Sequence, residues 1–225
     1  MILNISFLDN QLNFSREYIN LIEIENKKYF YRIINELFKY GNGIVSDQIC
    51  FFENNKEINL NNKIKIISDY LNLFADEKKY ITEINKNIIL ELNDNDKKIV
   101  LNNYNKIYSI IEKKSKEIDI PLVLNNDFNI DNIFKSFKLS LEIADDLLNN
   151  LLLLIDTESI LKMNKLLIFV NLKQYLSNEE LKELYKYSIY KEINILLIDS
   201  QCYGVCKEYE KKLIIDNNLE EIMIK

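Results

Sequence analysis

Two apolar runs in the C-terminal third constrain the fold of this chain more than any other feature. Residues 166–170, LLIFV, and 193–198, INILLI, show no alternation of polar and apolar side chains. Between them Ser177 and Glu180 have the spacing of a capping box, which predicts the start of a helix. A strand, a helix and a second strand within about 30 residues form a βαβ unit, and uniformly apolar strands are typical of a parallel sheet covered on both faces. The chain is therefore predicted to be an α/β protein, with KLLIFVN at 165–171 as a buried central strand.

The N-terminal residues predict further strands around one helix. Apolar alternation at 2–7 and 18–24 indicates strands, whereas residues 29–40 carry an apolar stripe at helical spacing. Asn26 is placed to cap this helix and Gly41 to end it. Strand-like segments follow at 49–52 and 64–67.

The middle of the chain changes to a helical pattern. Residues 76–117 predict two amphipathic helices, separated by a polar turn at 93–96. Pro121, the single proline of the chain, is expected to end the second helix and to open an irregular polar stretch. We therefore expect an α/β head domain formed by residues 1–70 and 139–225, and a helical leg domain inserted at 71–138.

The predicted strand ends carry polar residues that suggest, but do not complete, a nucleotide-hydrolase site. Asn171 and Asp199 would lie where such an enzyme holds its metal. The glycine-rich phosphate loop GxxxxGK[ST] is missing, because none of the three glycines is followed by Lys-Ser or Lys-Thr. The chain also has no histidine, the commonest general base. We interpret both residues as strand-end caps and expect a protein that is not an enzyme.

Charge argues against a general attraction to nucleic acid. The net charge is −6 and the isoelectric point is about 5.0, so phosphate binding would require lysines gathered on one surface. The leg offers a set of such residues, although solvated helix faces remain the alternative interpretation. The candidates for phosphate contact are Lys97, Lys98, Lys113, Lys114 and Lys116.

The remaining features concern location and metal binding. No apolar run approaches the roughly 18 residues that span a bilayer, and the first residues lack the pattern of a secretory signal, so we expect a cytoplasmic protein without a membrane span.

Asp127, Asn129 and Asp131 alternate as in a calcium loop. Asn132 and Lys138 stand where an EF-hand has Gly and Glu, so a solvated loop or helix cap remains open.

The segment at 164–201, NKLLIFVNLKQYLSNEELKELYKYSIYKEINILLIDSQ, is similar to the C-terminal half of the type II-A CRISPR adaptation proteins, the Csn-two family. It shares with them an apolar strand ending in Val-Asn, a short link to a Leu-Ser helix start, and a second apolar strand ending in an acid. The FLDN of the first strand, the two central helices and the final LIID and EIMI also follow the order of the family.

This resemblance implies a head that looks like a degenerate P-loop ATPase sheet and a helical leg. It further implies a homotetrameric ring that encircles double-stranded DNA and holds calcium near the junction of leg and head. The segment that matches the calcium site contains Asp119, Asn126, Asp127 and Asp131.

The function implied is non-catalytic binding of double-stranded DNA ends without regard to sequence. Such a ring would support spacer acquisition in adaptive antiviral defence, together with the CRISPR adaptation integrase and the RNA-guided effector nuclease. Two alternatives stay open, namely a metal-dependent nuclease or degenerate nucleotide hydrolase, and an acidic scaffold that binds only proteins.

Overall fold

A computed structural model of the protein describes residues 1–44, 46–203 and 207–224. The chain divides into two compact units. Unit 1 consists of Met1–Ala75 with Ile143–Lys225, and unit 2 consists of Asp76–Glu142. Across the described residues there are two β-sheets and six α-helices, which confirms the predicted mixed α/β class.

Ten strands, six α-helices and one 3₁₀ helix follow one another along the described part of the chain. In order they are β1 (Ile2–Ile5), β2 (Leu12–Asn13), β3 (Ile19–Ile24), α1 (Lys27–Gly41), β4 (Ile49–Glu53), β5 (Lys56–Ile58), β6 (Ile64–Ile67), α2 (Glu77–Glu91), α3 (Asp94–Ser115), α4 (Ile130–Ser136), α5 (Leu147–Leu161), β7 (Leu166–Val170), a 3₁₀ helix (Leu172–Gln174), α6 (Asn178–Tyr190), β8 (Asn194–Asp199), β9 (Glu210–Ile215) and β10 (Glu221–Ile224).

The larger sheet of unit 1 has the strand order β10-β9-β3-β8-β7-β6. Its strands from β9 to β6 run parallel, and β10 closes one edge antiparallel to β9. Every residue of β7 is buried, and this strand pairs with β8 on one side and β6 on the other. The predicted buried strand and the βαβ unit that contains it are confirmed.

Two helices of unit 1 begin at the capping residues that the sequence predicts. The Asn26 side chain accepts hydrogen bonds from the backbone N–H groups of Lys28 and Tyr29, each at 3.1 Å, and α1 ends at Gly41. Ser177 and Glu180 form the capping box at the start of α6. These bonds satisfy donors that have no partner within the helix.

The parallel sheet is covered on both faces. Ile22, Ile168 and Ile198 belong to a buried core that also contains residues of α1 and of the smaller antiparallel sheet, β2-β1-β4-β5. Because side chains alternate along a strand, Leu167 and Leu197 point to the opposite face. There α6 contacts β8, and α5 contacts α6.

Unit 2 is helical, with two differences from the predicted boundaries. Asn93 and Asp96 form a capping box, so the predicted turn at 93–96 is already the start of α3. That helix ends at Ser115, well before Pro121. No helix among the described residues is long and apolar enough to cross a bilayer.

Candidate nucleic-acid interface

Helix α3 carries a basic face that follows from its period. At about 100° per residue, Lys98, Lys106, Lys113 and the C-cap residue Lys116 fall within an arc of about 80°. All four side chains are exposed. At about 1.5 Å per residue they extend over about 27 Å along the helix axis. We call these four lysines the basic face of α3.

The residues between these lysines are small and polar. Asn95, Asn102, Asn105 and Ser109 project in the same direction, and this arc contains neither a carboxylate nor an apolar side chain. Glu112 lies at its border and pairs with Lys116 at 2.9 Å. Such a surface can donate hydrogen bonds and present positive charge over the length of about eight base pairs of duplex.

The helix brings together three of the five lysines singled out from the sequence. Lys98, Lys113 and Lys116 share the basic face, whereas Lys97 and Lys114 project about 100° away from it on either side. Lys114 pairs with Glu117 at 2.7 Å. Lys106 completes the basic face. It does not belong to a lysine pair in the sequence, so only the bounds of α3 identify it as part of this surface.

The opposite side of α3 is apolar. The Tyr104 ring packs edge-on against Phe128 at 5.1 Å, and the Tyr108 hydroxyl donates to the Leu124 carbonyl at 3.2 Å. The segment that follows the helix therefore covers part of this side. Ile107 and Ile111 nevertheless remain 59% and 49% exposed, and no residue of α3 is buried.

The candidate calcium ligands lie in and around the segment between α3 and α4. Asp119, Asn126, Asp127 and Asp131 are all exposed, with Asp131 in the first turn of α4. The Asn129 side chain caps α4 by accepting from the Asn132 N–H at 3.2 Å, which supports the helix-cap interpretation of that residue. Within the described residues no three His, Cys, Asp or Glu side chains are grouped so that they could hold a metal ion.

In unit 1 the ends of β7 and β8 are tied together by Asn171 and Ser200, the residues that directly follow these two strands. Asn171 has a left-handed backbone with φ of 58°, and its Oδ1 accepts from the Ser200 N–H at 2.8 Å and from the Ser200 hydroxyl at 2.9 Å. Asn tolerates this backbone conformation better than most residues. Asn171 is therefore a strand-end cap, as predicted, which links β7 to the residue after β8.

A buried ionic network lies on the sheet face that α6 covers. Lys173 Nζ is 2.8 Å from Glu210 and 3.6 Å from Glu23, while Lys212 Nζ is 3.0 Å from Glu23. The Tyr185 hydroxyl of α6 donates to Glu210 at 2.9 Å. All four charged side chains are at most 1% exposed. Charges in such a place are tolerated only when each has partners.

Asp199, at the end of β8, gives this region a pH dependence. Burial raises the pKa of its carboxyl to about 7, the Lys173 ammonium opposes that rise, and Glu23 adds to it. The folded chain then holds this proton more tightly than the unfolded chain, whose aspartate has an ordinary pKa near 3.8. The contribution of Asp199 to the free energy of unfolding is therefore largest below about pH 4, and it is lost as the pH rises to about 7.

We expect Asp199→Asn to remove that fall, since the amide cannot ionise. The variant should be more stable than the natural chain at pH 8 by about 2–4 kcal/mol, and the two should converge near pH 4. Urea unfolding followed by circular dichroism from pH 4 to pH 8 measures this. An equally steep loss of stability in both proteins between pH 5 and pH 7 would contradict the assignment.

Comparison with known protein families gives a match over most of the chain. The sequence model of the family described as CRISPR-associated protein (Cas_Csn2) matches residues 43–219. These residues include α3, the segment with the candidate calcium ligands, and the four parallel strands β6, β7, β8 and β9. No curated protein matches the chain. The family match covers well over half of the sequence and agrees with the resemblance carried by residues 164–201. The chain belongs to the CRISPR-associated Cas_Csn2 family.

Proposed function

We propose that this chain binds the ends of double-stranded DNA without regard to base sequence and without catalysis, in support of spacer acquisition in the cytoplasm. The observation that carries the proposal is the basic face of α3, where four exposed lysines lie on one acid-free arc. Contacts of lysine with backbone phosphates carry no sequence information. They give affinity that falls steeply with salt.

The proposed assembly is a homotetrameric ring around the duplex. Its support comes from the apolar side of α3. Ile107 and Ile111 there are at least about half exposed in the single chain, and apolar surface of this kind is typical of an interaction site. A second copy of the chain is the partner that the family resemblance favours. The adaptation integrase and the RNA-guided effector nuclease are proposed as further partners.

Calcium is proposed as the metal ion that this assembly binds. Asp119, Asn126, Asp127 and Asp131 offer the oxygen ligands that calcium prefers. Since one chain does not group three carboxylates within the described residues, we propose that the ligand set is completed only on assembly.

The larger sheet of unit 1 is proposed to be an ATPase-like sheet that no longer binds a nucleotide. Its parallel strands place Asn171 and Asp199 at neighbouring carboxyl ends, the location where open α/β sheets bind ligands. Asn171 is engaged as a cap, and the glycine-rich phosphate loop is missing from the sequence.

A gel-shift titration of linear duplex, with calcium and with a chelator, tests the proposed function. We expect a calcium-aided shift that is lost as salt is raised, and no cleavage when magnesium or manganese is added. Cleavage would favour the nuclease or hydrolase alternative, and the absence of any shift would favour the protein-only scaffold. A mass near 26.8 kDa in calcium, the mass of one chain, would contradict the ring.

A further inference from the structure

Helix α6 of unit 1 packs one side on the sheet and presents the other to solvent. The solvent side carries a stripe of residues at spacings of three and four, which line an open cleft of about 480 Å³. We call this stripe the outer face of α6. Its residues are Glu179, Lys182, Glu183, Lys186, Tyr187 and Tyr190.

The four charges of the outer face are not spaced as on an ordinary solvated helix. Such a helix gains stability when opposite charges stand four residues apart, and loses some when like charges do. Here Glu179 and Glu183 are four residues apart, and so are Lys182 and Lys186. Within one chain both spacings therefore join like charges.

The contacts that the structure shows do not relieve this pattern. Opposite charges also stand three residues apart, at 179/182 and 183/186, but neither pair forms an ion pair. Lys182 pairs instead with Glu208, and Lys186 lies over the ring of Tyr209, with its Nζ 5.8 Å from the ring centre. The two glutamates of the outer face have no cation partner in the part of the chain that the structure describes. The face thus offers carboxylates without cations, beside lysines whose three N–H donors can serve a second acceptor.

A second copy of α6 that runs antiparallel about a two-fold axis turns this pattern into attraction. With the axis between residues 182 and 183, Glu179 lies opposite Lys186 of the second copy, and Lys182 lies opposite Glu183 of the second copy. The two-fold axis repeats each contact, so every charge of the face meets an opposite one. Tyr190, which is 77% exposed, then covers the N-terminal end of the second helix. A parallel copy in register would place each charge beside its own kind.

We propose that two copies of this chain associate through the outer faces of α6, antiparallel about a two-fold axis. The partner is a second copy because the row of charges is complementary to its own reverse, as a two-fold interface between identical chains requires. The pairing uses unit 1 alone. It depends neither on DNA binding by the basic face of α3 nor on assembly through the apolar side of that helix.

Two single variants of the full chain test the pairing by charge reversal. Glu179→Lys and Lys186→Glu each place like charges opposite one another in both copies of one contact. Each variant alone should therefore associate at least about 10-fold more weakly than the natural chain. An equimolar mixture of the two should associate within about threefold of the natural chain, because every contact between one variant and the other again joins opposite charges. Sedimentation velocity over a dilution series measures the dissociation constants.

The mixture gives the decisive result, since a solvated face cannot produce it. If the mixture associates no better than the separate variants, or if the natural chain and both variants associate equally, the proposal is overturned. Lys28→Glu is the matched control, because it makes the same charge change as Lys186→Glu at the exposed start of α1, on the other face of the sheet. We expect it to leave association unchanged, and an equal weakening would overturn the proposal by showing that net charge alone is responsible.

A second background separates this pairing from assembly through α3. Ile107→Asp with Ile111→Asp places charge on the apolar side of α3, at positions that are exposed in the single chain. In this background the chain should still form pairs, and the further change Glu179→Lys should reduce the mass to that of one chain, 26.8 kDa. A background variant that is a single chain at every concentration would overturn pairing through α6 without contradicting assembly through α3.

Discussion

The double variant Lys98→Glu with Lys113→Glu is expected to weaken binding of linear duplex by at least about 100-fold at moderate salt. Both lysines belong to the basic face of α3 and are exposed. Each reversal removes the cation that faces a phosphate and places a carboxylate there instead. The change is repeated in every copy of an oligomer. The slope of log affinity against log salt should also become shallower, by about one for each phosphate that a bound copy no longer neutralises.

The same helix supplies a matched control. Lys97→Glu with Lys114→Glu changes the charge by the same amount, in the same two turns, but alters side chains that project away from the basic face. We expect this control to bind within about threefold of the natural chain at equal salt. Equal effects of the two double variants would show that total charge, and not the basic face, determines affinity.

Loss of the Lys173 ammonium is expected to lower the free energy of unfolding by about 3–5 kcal/mol. Lys173→Met keeps most of the side-chain volume but leaves Glu210 and Glu23 buried without this cation. That is a large part of the roughly 5–15 kcal/mol by which a typical protein is stable. Urea unfolding at pH 8, followed by far-ultraviolet circular dichroism, measures the change.

An exposed ion pair of the same unit provides the comparison. Lys182 pairs with Glu208, and both side chains are about half exposed. Exposed pairs contribute about 0–1 kcal/mol, so Lys182→Met should have little effect. If Lys173→Met were as stable as Lys182→Met, the network on the α6 face of the sheet would not stabilise the fold in this way.

The parts of the fold that the sequence predicts well are those that depend on local signals. The apolar runs of β7 and β8, and the caps at Asn26 and Ser177, are each specified by a few neighbouring residues. Helix α4 was not predicted because its seven residues are too few to show a period. Helix α3 ends at Ser115, before Pro121, because a proline excludes the helix from its own position but does not fix how far upstream the helix stops.

The candidate interface could be predicted only in part, for a different reason. Its lysines were visible as pairs, but membership of one face depends on the bounds of α3, and Lys106 stands alone in the sequence. The ionic network was not visible at all. Glu23 and Lys212 are distant along the chain and meet because β3 and β9 are neighbours in the sheet, and Lys173 approaches Glu23 from the 3₁₀ helix after β7.

The most direct test of the DNA-end ring uses one plasmid in three forms. With calcium present, equal amounts of the covalently closed circle, the nicked circle and the singly cut linear form compete for the protein in a gel shift. A ring must thread onto an end, so we expect the linear form to be bound and both circles to be left free, although all three carry the same phosphates. Cutting the closed circle should restore its binding. Equal binding of the closed circle and the linear form would contradict the proposal.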